Sequence, residues 1–227
     1  MKRSLFVLTT AALLGVPGAL SAQGFGVAAR AGTLGIGAEG ALGLTDAFVI
    51  RGGIGLLPVE LKNPSFWEPG EGVDATLKLP KTWYNIGADL YLGSGFRIGG
   101  GMLFKPDDPS LTGSLTGSAS IDIGGTTYTA TDVAEVKGTL ESKSSAPYVL
   151  IGFGKHTKSG IGLFLDLGVA MLGDPEVSLT ATGDPAVVGS ATFQTRLRQE
   201  EQTIEDDFGS YLKLWPILNI GIKLGVG

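Results

Sequence analysis

Seven charged residues stand at alternating positions in segments that are otherwise apolar or glycine: Arg30, Glu39, Arg51, Asp89, Arg97, Asp166 and Lys223. Asn85 and Asn219 share their faces. Four positive and three negative groups, tending to alternate in sign from segment to segment, suit a network of ion pairs. Groups of this kind withdrawn from water must be paired and hydrogen-bonded to be tolerated. The network has two readings, a polar pathway with selectivity or an electrostatic plug that rigidifies its surroundings.

Other chemistries are poorly supplied. The chain has no cysteine, so neither a disulfide framework nor a thiolate metal site is available. Its one histidine, His156, lies in a short turn between Lys155 and Lys158, away from any serine or carboxylate constellation. The glycine pairs are not set between a strand and a helix with a following lysine, as a phosphate loop requires. No enzymatic activity, cofactor or metal centre is expected.

A second cluster is acidic. In "SATFQTRLRQEEQTIEDDFGSYL", Phe193, Leu197, Ile204 and Phe208 recur at helical spacing, and Glu200, Glu201, Glu205, Asp206 and Asp207 fill much of the remainder. The spacing predicts a short helix. Its carboxylates would attract basic solutes or divalent cations, or form a solvated face or a lid.

The elements that carry these residues repeat one pattern. In "LWPILNIGIKLGVG", Leu214, Pro216, Leu218, Ile220, Ile222, Leu224 and Val226 alternate with Trp215, Ile217, Asn219, Gly221, Lys223, Gly225 and Gly227. The same period of two runs through segments around Phe25–Ala31, Ile36–Leu44, Phe48–Leu56, Tyr84–Leu92, Phe96–Lys105, Tyr148–Gly154 and Ile161–Met171. That makes eight strands, each with an apolar face free of charge. Such segments of about ten residues are the signal of a transmembrane β-barrel. No run after the N-terminus approaches the 18 or so residues of a spanning helix, and only helices and closed barrels satisfy their backbone in lipid.

Connection lengths agree. Turns near Thr45, Gly93 and His156 are short, whereas Pro58–Lys81, Pro106–Ser145 and Gly173–Gly209 are long; the "GTLG" turn at Gly32 is a short outer connection. Short periplasmic turns and long outer loops give this rhythm. Within the second long connection, Gly124-Gly125 between alternating runs predicts a hairpin. Trp83, Tyr84, Phe104 and Trp215 lie at strand ends and are expected at the membrane interfaces. A soluble barrel of lipocalin type shares the period, but its wet surface would consist mainly of glycine.

Composition supports the membrane reading. Charged residues make up 17% of the 227, and there are 37 glycines; soluble domains carry roughly 25% charge. The start, "MKRSLFVLTTAALLGVPGALSAQ", has a basic end, an apolar run and small residues before Gln23. It reads as a secretory signal peptide over 1–22, with the barrel over 23–227. Its removal takes two positive charges from a chain whose net charge is already −5, a poor balance for nucleic-acid binding.

Two long stretches, "TTYTATDVAEVKGTLESKSSAPYVLIGFGK" and "GIGLFLDLGVAMLGDPEVSLTATG", together with "RLRQEEQTIEDDF", "LWPILNIGIKLG" and the early "AGTLGIGAE", resemble CarO-type outer-membrane porins. The resemblance is best over residues 126–224 and implies an all-β, eight-stranded, antiparallel up-and-down transmembrane barrel with long extracellular loops. It also implies a Gram-negative outer-membrane location and uptake of small basic amino acids such as ornithine. The chain departs from barrels that end in an aromatic residue read by the insertion machinery, since it ends Val226-Gly227. The expected function is porin-like passage of small polar or basic solutes; the alternative is a closed barrel whose loops meet lipopolysaccharide or surface partners.

Overall fold

The computed structural model describes residues 24–63, 71–93 and 95–226, with the side chains of 207–212 excepted. The expected signal peptide over 1–22, Ser94 of the Gly93 turn, and the side chains of Asp207 and Phe208 lie outside the described residues. In chain order the elements are β1 (Phe25–Gly32), β2 (Ile36–Gly43), β3 (Phe48–Leu56), β4 (Glu60–Lys62), β5 (Val73–Lys78), β6 (Thr82–Tyr91), β7 (Phe96–Phe104) and β8 (Ser110–Leu115). There follow β9 (Ser120–Ile123), β10 (Thr126–Thr129), β11 (Val133–Glu141), β12 (Ser145–Phe153), β13 (Gly160–Met171), β14 (Glu176–Gly183), α1 (Pro185–Val188), α2 (Ala191–Leu212) and β15 (Leu214–Val226).

Eight strands close into an antiparallel barrel in the order β1-β15-β13-β12-β7-β6-β3-β2. Each pairs with its neighbour among the barrel strands in the sequence, and β1 seals against β15. Alternation dictates which side chains meet lipid. On β15, Leu218, Ile220, Ile222, Leu224 and Val226 are exposed, while Ile217, Asn219 and Lys223 are buried. Ile36, Ile86, Ile98, Val149, Ile161 and Leu163 extend the same apolar exterior. A charge on such a wall costs roughly 2–4 kcal/mol at the midplane, and the described wall carries none between its aromatic rims. Tyr84 and Phe104 face outward as expected.

Trp83 and Trp215 do not. They share inward parity with Asn85 and Asn219, and their rings pack against each other at 4.7 Å inside the outer mouth. Trp83 is fully buried. The indoles therefore belong to an apolar stopper with Leu34, Leu103, Leu172 and Ile217; chain position suggested an interfacial belt, but strand parity overrides it.

The long connections fold into a cap. Strands from all three form a sheet in the order β14-β11-β8-β5-β4. Its residues alternate: Leu77, Leu111, Gly138 and Leu179 lie in one cross-strand row, and Lys78, Ser110 and Thr139 in the next. One face is thus apolar and the other polar. The hairpin β9–β10 turns at Gly124 and Gly125, both at positive φ (55° and 73°), the conformation a two-residue type I′ turn demands. Helix α2 begins at Ser190, whose Oγ accepts from the Phe193 N–H at 3.2 Å. It runs 22 residues and seats Phe193 and Leu197 against Ile123 and Val133.

Candidate functional site

Six of the charged residues meet in the lumen as one cluster. Arg30 Nη1 lies 3.2 Å from Glu39 Oε2. Arg51 touches all three carboxylates: Glu39 at 3.2 Å, Asp89 at 3.1 Å and Asp166 at 2.8 Å. Arg97 Nε lies 3.0 Å from Asp89, and its Nη2 pairs with Asp166. Arg97 also donates to the carbonyls of Phe153 and Gly154. Three guanidiniums face three carboxylates, so the cluster is formally neutral, and each member is almost wholly buried.

Register explains how eight strands hold six long polar side chains. Every member has glycine as a direct cross-strand partner: Arg30 faces Gly37 and Gly221, Glu39 faces Gly53, and Arg51 faces Gly87. Asp89 faces Gly99, while Arg97 and Asp166 flank Gly152 on its two sides. A Cβ added at Gly152 would lie 2.5 Å from Arg97 Cζ, and one at Gly99 would lie 2.1 Å from Asp89 Oδ1. The lumen of an eight-stranded barrel is only wide enough for side chains to fill. Glycine supplies the volume the guanidiniums occupy.

Of the remaining lumen residues, Asn85 and Asn219 border this cluster and Lys223 stands apart from it. Lys223 is buried but pairs with no carboxylate; its ammonium donates to the carbonyls of Lys158 and Gly160 near the short-turn end. Asn85 and Asn219 line a cavity of ≈ 10 Å³ beside Arg30, Arg51, Tyr148 and Asp166. That space holds about one water. Above the cluster sits the indole stopper.

His156 belongs to the site although the sequence reading placed it in a short turn between Lys155 and Lys158. Its Nε2 lies 3.2 Å from Glu39 Oε1, and its Nδ1 lies 3.1 Å from the Tyr91 hydroxyl. The hydroxyl also accepts from the His156 backbone N–H at 3.1 Å. Its ring packs on Phe164 at 4.5 Å. The turn folds under the barrel, so close that a Cβ at Gly26 would lie 2.2 Å from the His156 carbonyl oxygen. One signal was present: Tyr148, Leu150, Gly152 and Gly154 are inward by parity, and His156 continues that series.

The acidic cluster is largely committed to the fold. Glu205 accepts from the Val177 N–H at 2.6 Å and Glu201 from the Leu179 N–H at 2.7 Å. These are alternate residues of β14, the edge of the cap sheet. Residues four apart on a helix match residues two apart on a strand, at about 6–7 Å. Glu200 accepts from the Gly124 N–H at 3.1 Å. Asp206 is exposed, and the Asp207 side chain lies outside the described residues. Among the described residues no cluster of three or more metal-ligating side chains occurs.

A barrel with a charge-free apolar exterior, a filled polar lumen and a folded outer cap defines a transmembrane β-barrel of outer-membrane type. Two solved structures from Acinetobacter baumannii have a similar fold. CarO2 aligns over 89% of this chain and 98% of its own, with a TM-score of 0.63 at 21% identity. CarO aligns over 88% and 96%, with a TM-score of 0.57 at 19% identity. The fold is therefore the CarO-type barrel, as the resemblance implied. No family model and no curated protein matches the chain.

Proposed function

We propose that this chain is an outer-membrane protein closed to solute along its axis, which works through its extracellular cap, where it meets lipopolysaccharide, other surface molecules or ligands. The observation that carries this reading is the filled lumen: a neutral six-residue ionic cluster beneath an indole stopper, with ≈ 10 Å³ of space beside it. An amino acid is many times larger than one water. Its passage would require several buried ion pairs to separate together, and each uncompensated charge costs about 3–5 kcal/mol.

Porin-like uptake of small polar or basic solutes is the competing reading. Of the cap carboxylates, Glu200, Glu201 and Glu205 are held by backbone N–H groups, which fixes their place in the fold without cancelling their charge. Planar-bilayer conductance and liposome swelling with glycine, lysine and ornithine decide between them. The wild-type protein is expected to show no channel steps and no swelling above empty liposomes. Saturable amino-acid flux would overturn the closed reading.

A further inference from the structure

Between the cap and the barrel mouth lies a second, far larger space, a partly open chamber of ≈ 730 Å³. Its roof is the apolar face of the cap sheet, including Leu111, Val136 and Val177; its side is Leu197 and Ile204 of α2; its floor includes Trp83 and Trp215. Ligand pockets run from about 300 to 1,000 Å³ and are mostly apolar with a few placed polar groups. Glycine keeps the middle of the roof thin. Gly113 and Gly138 both line the chamber, in successive rows of its apolar face otherwise made of Ala, Val and Leu. A Cβ at Gly138 would lie 3.1 Å from Leu179 Cδ2, so the neighbouring leucine leans over the glycine.

The polar atoms of the wall sort by sense. Asp122 and Glu200 accept from the Gly125 and Gly124 N–H groups, and Lys105 is ion-paired with Asp108. The wall's buried groups with no protein partner are Trp83 Nε1, Trp215 Nε1 and Ser142 Oγ. All three can donate. A buried donor left unpaired is destabilising, and none of the three is reached by solvent in this structure, so a ligand oxygen would satisfy one as the side chains around it shift aside. Two wall carboxylates against one already neutralised lysine leave the chamber unfavourable to an added anion.

We infer that this chamber binds an acyl-chain molecule whose polar end is an uncharged oxygen acceptor, such as an ester or lactone carbonyl. The chain lies against the sheet, and its carbonyl reaches an indole or serine donor as the side chains around that donor move aside. This rests on the proposal that the cap is the working end of the protein.

The test uses the full-length mature protein in lipid nanodiscs, so that detergent does not compete for the chamber. Brominated methyl decanoate is titrated and quenching of tryptophan fluorescence is followed, with brominated decanoic acid and a brominated alkane in parallel. Saturable quenching is expected, with the ester at least about tenfold tighter than the acid or the alkane, one order of magnitude being 1.4 kcal/mol. The triple variant Val136→Phe, Leu140→Phe, Val177→Phe, which fills the roof, should abolish it. The double variant Ser142→Ala, Trp215→Phe should bring the ester most of the way down to the affinity of the alkane, with Trp83 left as a donor and still reporting. Non-saturable quenching, equal affinity for the three probes, or an unaltered response in the double variant would overturn the inference. Flux is not read here. A protein that conducts amino acids yet binds the ester defeats only the closed-barrel reading; one that stays closed and ignores the ester defeats only this one.

Discussion

At the scale of single residues, Arg51 is the hub of the lumen. It alone contacts Glu39, Asp89 and Asp166. Replacing it with alanine leaves two guanidiniums against three carboxylates in low dielectric, and a loss of about 3–5 kcal/mol is expected, read by urea-induced unfolding from liposomes. Arg51→Lys should not rescue, because an ammonium cannot reproduce the planar fork that spans three partners. Asp166→Asn keeps the shape but removes the charge opposite Arg51 and Arg97. It is expected to destabilise the barrel or to open a measurable leak in liposome swelling; no change in either would deny the cluster its role as a plug. Seven inward charges could be read from alternation alone. Which carboxylate meets which guanidinium could not, because Arg51 and Asp166 are 115 residues apart and meet only when the barrel closes. His156 escaped because it lies beyond the end of β12, in a short turn that folds back beneath the lumen.

At the scale of elements, α2 is tied to the cap by its carboxylates as well as by its apolar face. An unpaired sheet edge invites pairing with other chains, and Glu201 and Glu205 cover two N–H groups of that edge. Glu201→Ala with Glu205→Ala is expected to cost about 1.5–3 kcal/mol per hydrogen bond and to speed amide exchange at Val177 and Leu179. The corresponding glutamine variants should keep most of the protection, since the amide carbonyl still accepts. At the β10–β11 turn, the Asp132 carboxylate accepts from the Thr129 N–H (3.0 Å) and O–H (2.6 Å), which holds its pKa below the usual value of 3.8. A depressed folded pKa means that this contribution is complete above 3.8 and vanishes as pH falls through the lower folded value. The Thr129 amide resonance should therefore stay fixed until the solution is more acidic than that. The helix was legible from Phe193, Leu197 and Ile204 at spacings of four and seven. The cap sheet was not: "VDATLK" and "EVSLTATG" alternate, but their partners lie in other connections, and length marked all three as loops.

At the scale of the whole molecule, the barrel sorts its residues by solvent in the reverse of a soluble protein. Ile86, exposed near the middle of β6, tests that inversion. Ile86→Lys should lower stability in bilayers by roughly 2–4 kcal/mol, measured by reversible folding into phospholipid vesicles. Strand number, their order round the barrel and the lipid-facing side followed from period-two patterning with short and long connections in alternation. Closure of the lumen did not, because an inward charge can line a channel as readily as block it, and only packing volume separates the two.

The seam between β1 and β15 joins Phe25–Gly32 to residues 219–226, the two extremes of the described chain. Joining such distant segments carries the largest entropy of ring closure and slows annealing. Until it happens, both terminal strands are unsatisfied ribbons in a setting without water. A substitution confined to that hem, such as Ala29→Gly, should therefore reveal itself as delayed arrival in the bilayer, with a longer-lived protease-sensitive precursor, while the finished protein endures denaturant nearly as well as before.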